Sequence, residues 1–346
     1  MNLKGPFTAL VLALGAAGCA SAPPAPAPVA GPTWAQKMST ILRLEDQRVL
    51  HDPLPPEPPP APVDRKGRPV AAPVVARTPV ADLLPFLRDS EARVRRRAAL
   101  AVGHVGLVEG VAALTPLLSD ADPEVRQMAA FGLGLIGSPT AKDALVAALA
   151  DQAPVVQGSA AEALGLIGDR TAAPAIGRML DAIVASGALA AVPREDDESR
   201  RDTPAAAFRL ATTALVRLEA WEPFAAAVMD AKGQPRVTWW PVAFALARFQ
   251  RPGTLPALVT LAHETSPYTR AFAARAMGGL KDPSALPTLM LLLQSGDRGV
   301  QVQTVRALAR IADPGAVEPL LKLLRDPGAG PWLRAEIADA LGAVSY

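Results

Sequence analysis

The chain has 346 residues, half of them hydrophobic, with 35 Lys+Arg against 33 Asp+Glu for a formal charge of +2. That near-balance excludes a broad electrostatic footprint for nucleic acid, and the length allows a long buried core or two domains. The single cysteine excludes an internal disulfide, so the fold rests on packing.

Residues 1–18 read as an export signal: Lys4 gives a positive start, FTALVLALGAAG an apolar run, and Ala16-Ala17-Gly18 a small-residue stretch before Cys19. The run is too short to span a bilayer as a stable helix. Small residues directly before a sole Cys resemble a bacterial lipobox, with Ala16 standing where the usual form has Leu. The resemblance implies that Cys19 becomes the diacylated N-terminus of the mature protein. Ala20, rather than Asp, then implies outer-membrane sorting in a two-membraned cell, with the body facing the periplasm. An ordinary cleaved signal with an incidental Cys, or a buried thiol, is the alternative.

Residues 19–33 and 51–79 are Pro/Ala-rich and hold 15 of the 36 prolines. Such composition removes backbone donors and favours extended, semi-rigid structure. The first segment reads as a disordered tether and the second as a linker, with a docking strand for a Pro-binding groove as the lesser alternative. Between them, 34–50 predicts an amphipathic helix with Trp34, Met38, Ile41 and Leu42 on one face and Lys37, Arg43, Glu45 and Asp46 elsewhere. Its short stripe and mixed charges favour a cap on the open end of a repeat array over a helix lying on the membrane. Helix 79–88 is then the second half of a first hairpin, with Leu83 and Leu87 standing 31 residues before Leu114 and Leu118.

From residue 80 onward the chain repeats. Val94, Val125 and Val156 form one column; Val102, Leu133, Leu164, Leu215, Leu246, Met277, Leu308 and Leu341 form another, in steps of 31, 31, 51, 31, 31, 31 and 33. A fixed period of this size is the signature of stacked units. In 120–151, Asp122 predicts an N-cap with Pro123 at the first helical position. Val125, Ala129, Leu133 and Ile136 mark a buried helical face, and Gly137 ends the helix. Ser138-Pro139 restarts the chain as a second helix with the stripe Ala141, Leu145, Ala148 and Leu149. The Asp-Pro pair returns at Asp282-Pro283 and Asp313-Pro314. Alanine pairs such as Ala129-Ala130 and Ala160-Ala161 let helices approach closely. A single hairpin cannot bury both faces, so stability comes from stacking.

The run from Asp122 to Gly137, D-P-E-V-R-x-x-A-A-x-x-L-G-x-I-G, resembles the bacterial HEAT-like repeat, including the type first named from phycobilin lyases. The resemblance covers about 80–346 and implies an all-α solenoid of about seven to eight helical hairpins. Thr212 and Thr213 near the small-residue column, and Trp239 where Arg126 would stand, depart from it.

The 51-residue step locates an insertion near 182–204. Its first part predicts a lengthened second helix. The rest, with Glu195, Asp196, Asp197, Glu198 and Asp202 against Arg194, Arg200 and Arg201, reads as a solvated loop, since it lacks the alternate spacing and central Gly of a calcium loop. Trp239 and Trp240, on one helix, would point about 100° apart, so both cannot easily face one core and both are candidate partner-binding anchors; the alternative is that one fills the core while the other packs under the insertion or the neighbouring turn. Arg95, Arg126, Arg270 and Gln301 occupy equivalent positions and predict a ladder with acids such as Asp89, Asp120 and Asp151.

No catalytic chemistry is visible. His51, His104 and His263 lie far apart in sequence without clustered carboxylates, and there is no nucleophile elbow or phosphate-binding Gly loop. No cofactor and no metal are expected. The sequence therefore predicts a non-catalytic scaffold that holds a protein or peptide partner, touching membrane only through the lipid at Cys19 and no nucleic acid. The tethered array is also similar to bacterial lipoproteins in which a HEAT array precedes a cyclophilin-type prolyl isomerase. The chain reaches Tyr346 after what reads as the first helix of a further repeat, so a C-terminal continuation belongs to that alternative. A bilin lyase, supported by repeat type, and a membrane-surface coat are the others.

Overall fold

The computed structural model describes residues 31–54, 80–193 and 201–344. It divides into Met1–Thr33 and Trp34–Tyr346, and all elements below belong to the second unit. The export signal, Cys19, the tether up to residue 30, most of the Pro-rich linker and the acids at 195–198 lie outside the described residues.

Sixteen α-helices and short 3-10 turns make up the described fold, without a β-strand. The first is α1 (Trp34–Asp46), followed after the linker by a 3-10 turn at Leu84–Arg88. Hairpins then follow in order: α2 (Ala92–Val105) with α3 (Gly110–Leu114), α4 (Pro123–Ile136) with α5 (Lys142–Ala148), and α6 (Pro154–Ile167) with α7 (Ala173–Ala185). Next come α8 (Pro204–Arg217) with α9 (Trp221–Val228), α10 (Trp240–Phe249) with α11 (Leu255–Ala262), and α12 (Pro267–Leu280) with α13 (Leu286–Leu293). The last pair is α14 (Arg298–Ile311) with α15 (Val317–Arg325), and α16 (Pro331–Val344) starts an eighth unit. First helices pack on first helices, α2 on α4, α4 on α6, α6 on α8, then α10 on α12, α12 on α14 and α14 on α16. This is the all-α solenoid predicted from the columns.

Local chemistry sets the boundaries. Asp122 accepts from the backbone N–H of Glu124 at 2.8 Å and of Val125 at 3.3 Å, satisfying donors that the first turn of α4 leaves open. Val125, Ala129 and Leu133 are fully buried, as are Leu145 and, nearly, Ala141 in the second element. Asp282 and Asp313 make the same bonds to Ser284 and Gly315, but there they open the second element of a hairpin and not the first. The glycine and alanine columns explain the helix spacing. A Cβ built on Gly134 would lie 2.7 Å from the Ala163 Cα on the next first helix, so α4 and α6 already touch backbone to backbone.

Two parts of the front differ from the expected pattern. Residues 84–88 form a 3-10 turn, yet Leu83 and Leu87 are buried where a second helix would place them. On α1, Leu42 is 51% exposed while Leu44 is fully buried beside Ile41. The reason lies four residues to either side of Ile41: Lys37 and Glu45 share its face and are drawn onto the stack by ion pairs, Lys37 to Asp89 at 2.7 Å and Glu45 to Arg97. The two charges expected to point away therefore orient the cap, and α1 packs on α2.

The insertion begins as predicted, since α7 runs 13 residues where α5 runs 7. At its far end, Asp202, 51 residues after Asp151, accepts from the backbone N–H of Val155 at 3.0 Å. Helix α6 starts after Ala153, which has no side chain to cap it. The insertion thus closes by supplying the missing cap from a distance.

Candidate interaction surface

The polar column beside the first-helix starts forms a continuous ladder in the front repeats. Arg95 donates Nε to Asp120 at 2.7 Å and a second bond at 2.7 Å, while its other nitrogen reaches the Asp89 carbonyl at 2.9 Å. Arg126 repeats the arrangement one unit on, with Asp151 at 2.7 and 2.9 Å and the Asp120 carbonyl at 2.9 Å. Lys37 supplies the rung before, to Asp89, and Gln157 closes the run by donating to the Asp151 carbonyl at 2.6 Å. The two arginine rungs are bidentate and charge-assisted, which is the strong kind. The Arg95 bond holds the Asp120 carboxyl below the usual carboxylate range. Burial pushes the Asp151 carboxyl up, and the Arg126 bond with the backbone N–H of Ala153 more than reverses it, leaving that group low as well.

Each rung joins an arginine to the acid 25 residues later. For Arg270 that place holds Ser295, and Arg270 Nε is buried without a hydrogen-bond partner. Gln301, next in the column, donates to the Leu293 carbonyl at 3.3 Å and accepts from Arg298 at 2.9 Å. The ladder is thus structural in front and broken behind.

Between these stretches the same column turns aromatic, at Phe208 and Trp239. Their rings lie 5.8 Å apart, and Arg209 sits over the Trp239 ring at 5.6 Å. The expectation that both tryptophans lie on one helix is corrected here. In register, α10 should open near residue 236, but Pro241 would then fall in the helix interior, where it blocks a backbone bond and clashes with the preceding turn. The helix instead opens at Trp240, leaving Trp239 before it with extended backbone (φ −85°, ψ 150°). Trp239 is only 7% exposed, so it is a core residue and not an exposed anchor. Trp240 is half-buried, stacked on Phe272 at 5.8 Å and packed edge-on to Phe244 at 6.4 Å. A second cluster joins Trp221, Phe224 and Phe249 with centroids 5.3 to 6.1 Å apart. Both clusters meet where α8 and α10 pack less extensively than other neighbouring first helices.

A surface column that the sequence reading passed over lies two residues after the leucine column: His104, Leu135, Leu166, Arg217, Arg248, Gly279 and Arg310. Leu135 and Leu166 are 37% and 38% exposed, and the three arginines are exposed as well. The C-terminal ends of the first helices therefore present an apolar stretch in front and a basic stretch behind. The 31-residue register alone would have found it. Among the described residues no group of three or more His, Cys, Asp or Glu side chains is placed to hold a metal ion, and no helix is long and apolar enough to cross a membrane.

The chain matches the family of HEAT repeats over residues 111–192, 231–300 and 289–346, more than half its length. No curated protein matches it significantly. Among solved structures it is similar to YibA of Escherichia coli, at 19% identity over 76% of this chain and 91% of that one, with a TM-score of 0.53. It is also similar to the complex of CpcE and CpcF of phycocyanin lyase from a Nostoc species, at 19% identity over 84% of this chain and 100% of that one, with a TM-score of 0.39. An engineered protein shares 23% identity over 76% and 78%, with a TM-score of 0.42. At 19% identity, the likeness to YibA speaks for the fold alone. With the family match and the stacked hairpins together, the chain belongs to the HEAT-repeat family.

Proposed function

We propose that this chain is a non-catalytic binding scaffold of the bacterial cell envelope, anchored through a lipid on Cys19, whose repeat array holds a protein or peptide partner. The observation that carries the binding part is the exposed column at the first-helix ends. Leu135 and Leu166 are each more than a third exposed in the same register as the exposed Arg217, Arg248 and Arg310, and none of the five belongs to the buried core. Rows of side chains repeated at fixed spacing form the extended surfaces that solenoids use for recognition. The small residues before Cys19 support the anchor, and the Pro-rich stretch after it supports a tether that lifts the array from an outer membrane into the periplasm.

Two experiments test the reading. A photoreactive residue placed singly at 135, 166, 217, 248 or 310 in living cells should yield discrete protein adducts from at least one position. Absence of adducts from all five would overturn the scaffold. For the anchor, Cys19→Ala should move the protein from the membrane fraction to the soluble fraction and abolish incorporation of a labelled fatty acid. Unchanged fractionation would overturn the lipid.

A further inference from the structure

The basic end of the column converges on a cavity. Arg248 in the last turn of α10, Arg275 of α12, Lys281 directly after it, and Arg310 in the last turn of α14 line a space of about 430 Å³ together with Ala247, Gln250, Gly278 and Gly279. No carboxylate lines it. Among the described residues, none of these four cations, nor Arg217 on α8, has an ion-pair partner, although Arg95, Arg126 and Arg306 all do. Gly279 stands where the column would place another long side chain between Arg248 and Arg310, and the Gln250 amide lies over it, 2.8 Å from where a Cβ would be.

Charge complementarity to the helix ends does not use up these cations. Three helix C-termini meet here, each worth about half a negative charge, against four full positive charges. Asp282 and Asp313 cap the turns just beyond α12 and α14, but neither lines the cavity, whose own lining keeps a positive surplus. Two of the cavity residues also carry a backbone cost. Gln250 and Lys281 close their helices in the left-handed region, at φ 48° and 53°, where the front repeats use Gly106, Gly137 and Gly168. Glu219 and Ala312 close α8 and α14 in the same way, so all four rear helices end on a non-glycine residue, and at the cavity those residues are Gln250 and Lys281.

The row from Arg217 to Arg310 crosses four first helices, roughly 30 Å at about 10 Å per helix. A single small anion would occupy one point of it. A polypeptide in extended conformation rises about 3.3 Å per residue, so roughly nine residues would follow the whole row. Arginine forks match carboxylates in geometry as well as charge.

We propose that the ends of α10, α12 and α14, continued by Arg217 of α8, bind an acidic, extended peptide segment of the partner protein. The inference rests on the scaffold reading above and names the chemistry of what it holds. The test is fluorescence anisotropy of the purified full chain with labelled octa-glutamate and octa-glutamine peptides at low and high salt. The glutamate peptide should bind, weakening with salt, and the glutamine peptide should not. Arg248→Glu/Arg310→Glu should weaken binding by about tenfold or more, because it removes two attractive charges and adds two repulsive ones. Lys322→Glu/Arg325→Glu, with the same change in net charge on exposed residues of α15, should leave it within about threefold. Circular dichroism reports folding, and Arg248→Gln/Arg310→Gln supplies the same comparison if the reversal variant unfolds. Equal loss in the α15 variant, equal binding of both peptides, or no binding at low salt would overturn the proposal. So would binding to phosphatidylglycerol vesicles through Arg248 and Arg310 without binding to peptide. Failure here alongside protein adducts in cells removes only this site, whereas loss of the adducts removes the scaffold.

Discussion

The front repeats, α2 to α6, and the junction between α8 and α10 solve one packing problem in opposite ways. In front, glycine and alanine let first helices touch backbone to backbone, and a ladder of Arg–Asp pairs ties each unit to the next. At the junction, Pro241 removes the first turn of α10, the ladder positions become Phe208 and Trp239, and aromatic rings fill the wider gap. Close approach makes small residues valuable in one place, and its absence makes large ones valuable in the other. Substitutions should therefore change sign or size between the two regions.

The largest effect is expected at the junction. Trp239→Ala removes a buried ring from a cluster with no small-residue contact to fall back on, and should cost about 3–5 kcal/mol. Urea unfolding followed by far-UV dichroism measures it. A loss below about 1 kcal/mol, the size of a surface change, would mean that the aromatic cluster does not hold the junction.

In the front, Arg126→Ala deletes two bonds to the Asp151 carboxylate and one to the Asp120 carbonyl, and should cost about 2 kcal/mol. The ladder also predicts a pH dependence. Asp120 and Asp151 titrate lower in the folded chain than their ordinary values, so their contribution is present above the unfolded carboxylate range, near pH 4, and lost as pH falls through the lowered values. Thermal unfolding from pH 7 to pH 2 should show that loss in the wild type and a smaller one in Arg126→Ala. Parallel curves would exclude a stabilising ladder.

Gly134→Ala tests the close approach. Helix propensity alone favours alanine by about 1 kcal/mol, but the added Cβ would meet Ala163 at 2.7 Å. Overpacking of that kind costs about 1–3 kcal/mol, so the net change should be destabilising. Gly342→Ala in α16, where nothing lies within 4 Å, should instead stabilise. The smallest effect is a repair: Ser295→Asp puts the missing acid opposite Arg270 and should gain about 0.5 kcal/mol.

Much of this was legible in the sequence, for a physical reason: stacked helices must present the same residue to the same neighbour, so the leucine column, the alanine pairs and the Arg–Asp spacing all survive as periodicity. The lengthened α7 was legible as a break in that period. Trp239 was misplaced because the column assumed a full-length α10, although Pro241 is itself the signal that the helix starts late. Leu42 was misplaced because apolar periodicity ignores ion pairs, and Lys37 and Glu45 turn α1 about its axis. Asp202 capping α6 across the insertion had no local signal at all. The basic column keeps the register too, but exposed positions carry no apolar or small-residue signal, so only the spacing marks it.

Native-state hydrogen exchange of the full chain, resolved by peptide, tests the two-region account most directly. The account predicts strong protection in α4, α6, α12 and α14, with the lowest opening free energy at 229–241 and a further fall there alone in Trp239→Ala. Protection at 229–241 equal to that of α4 and α6, or a uniform loss across the chain in Trp239→Ala, would contradict it.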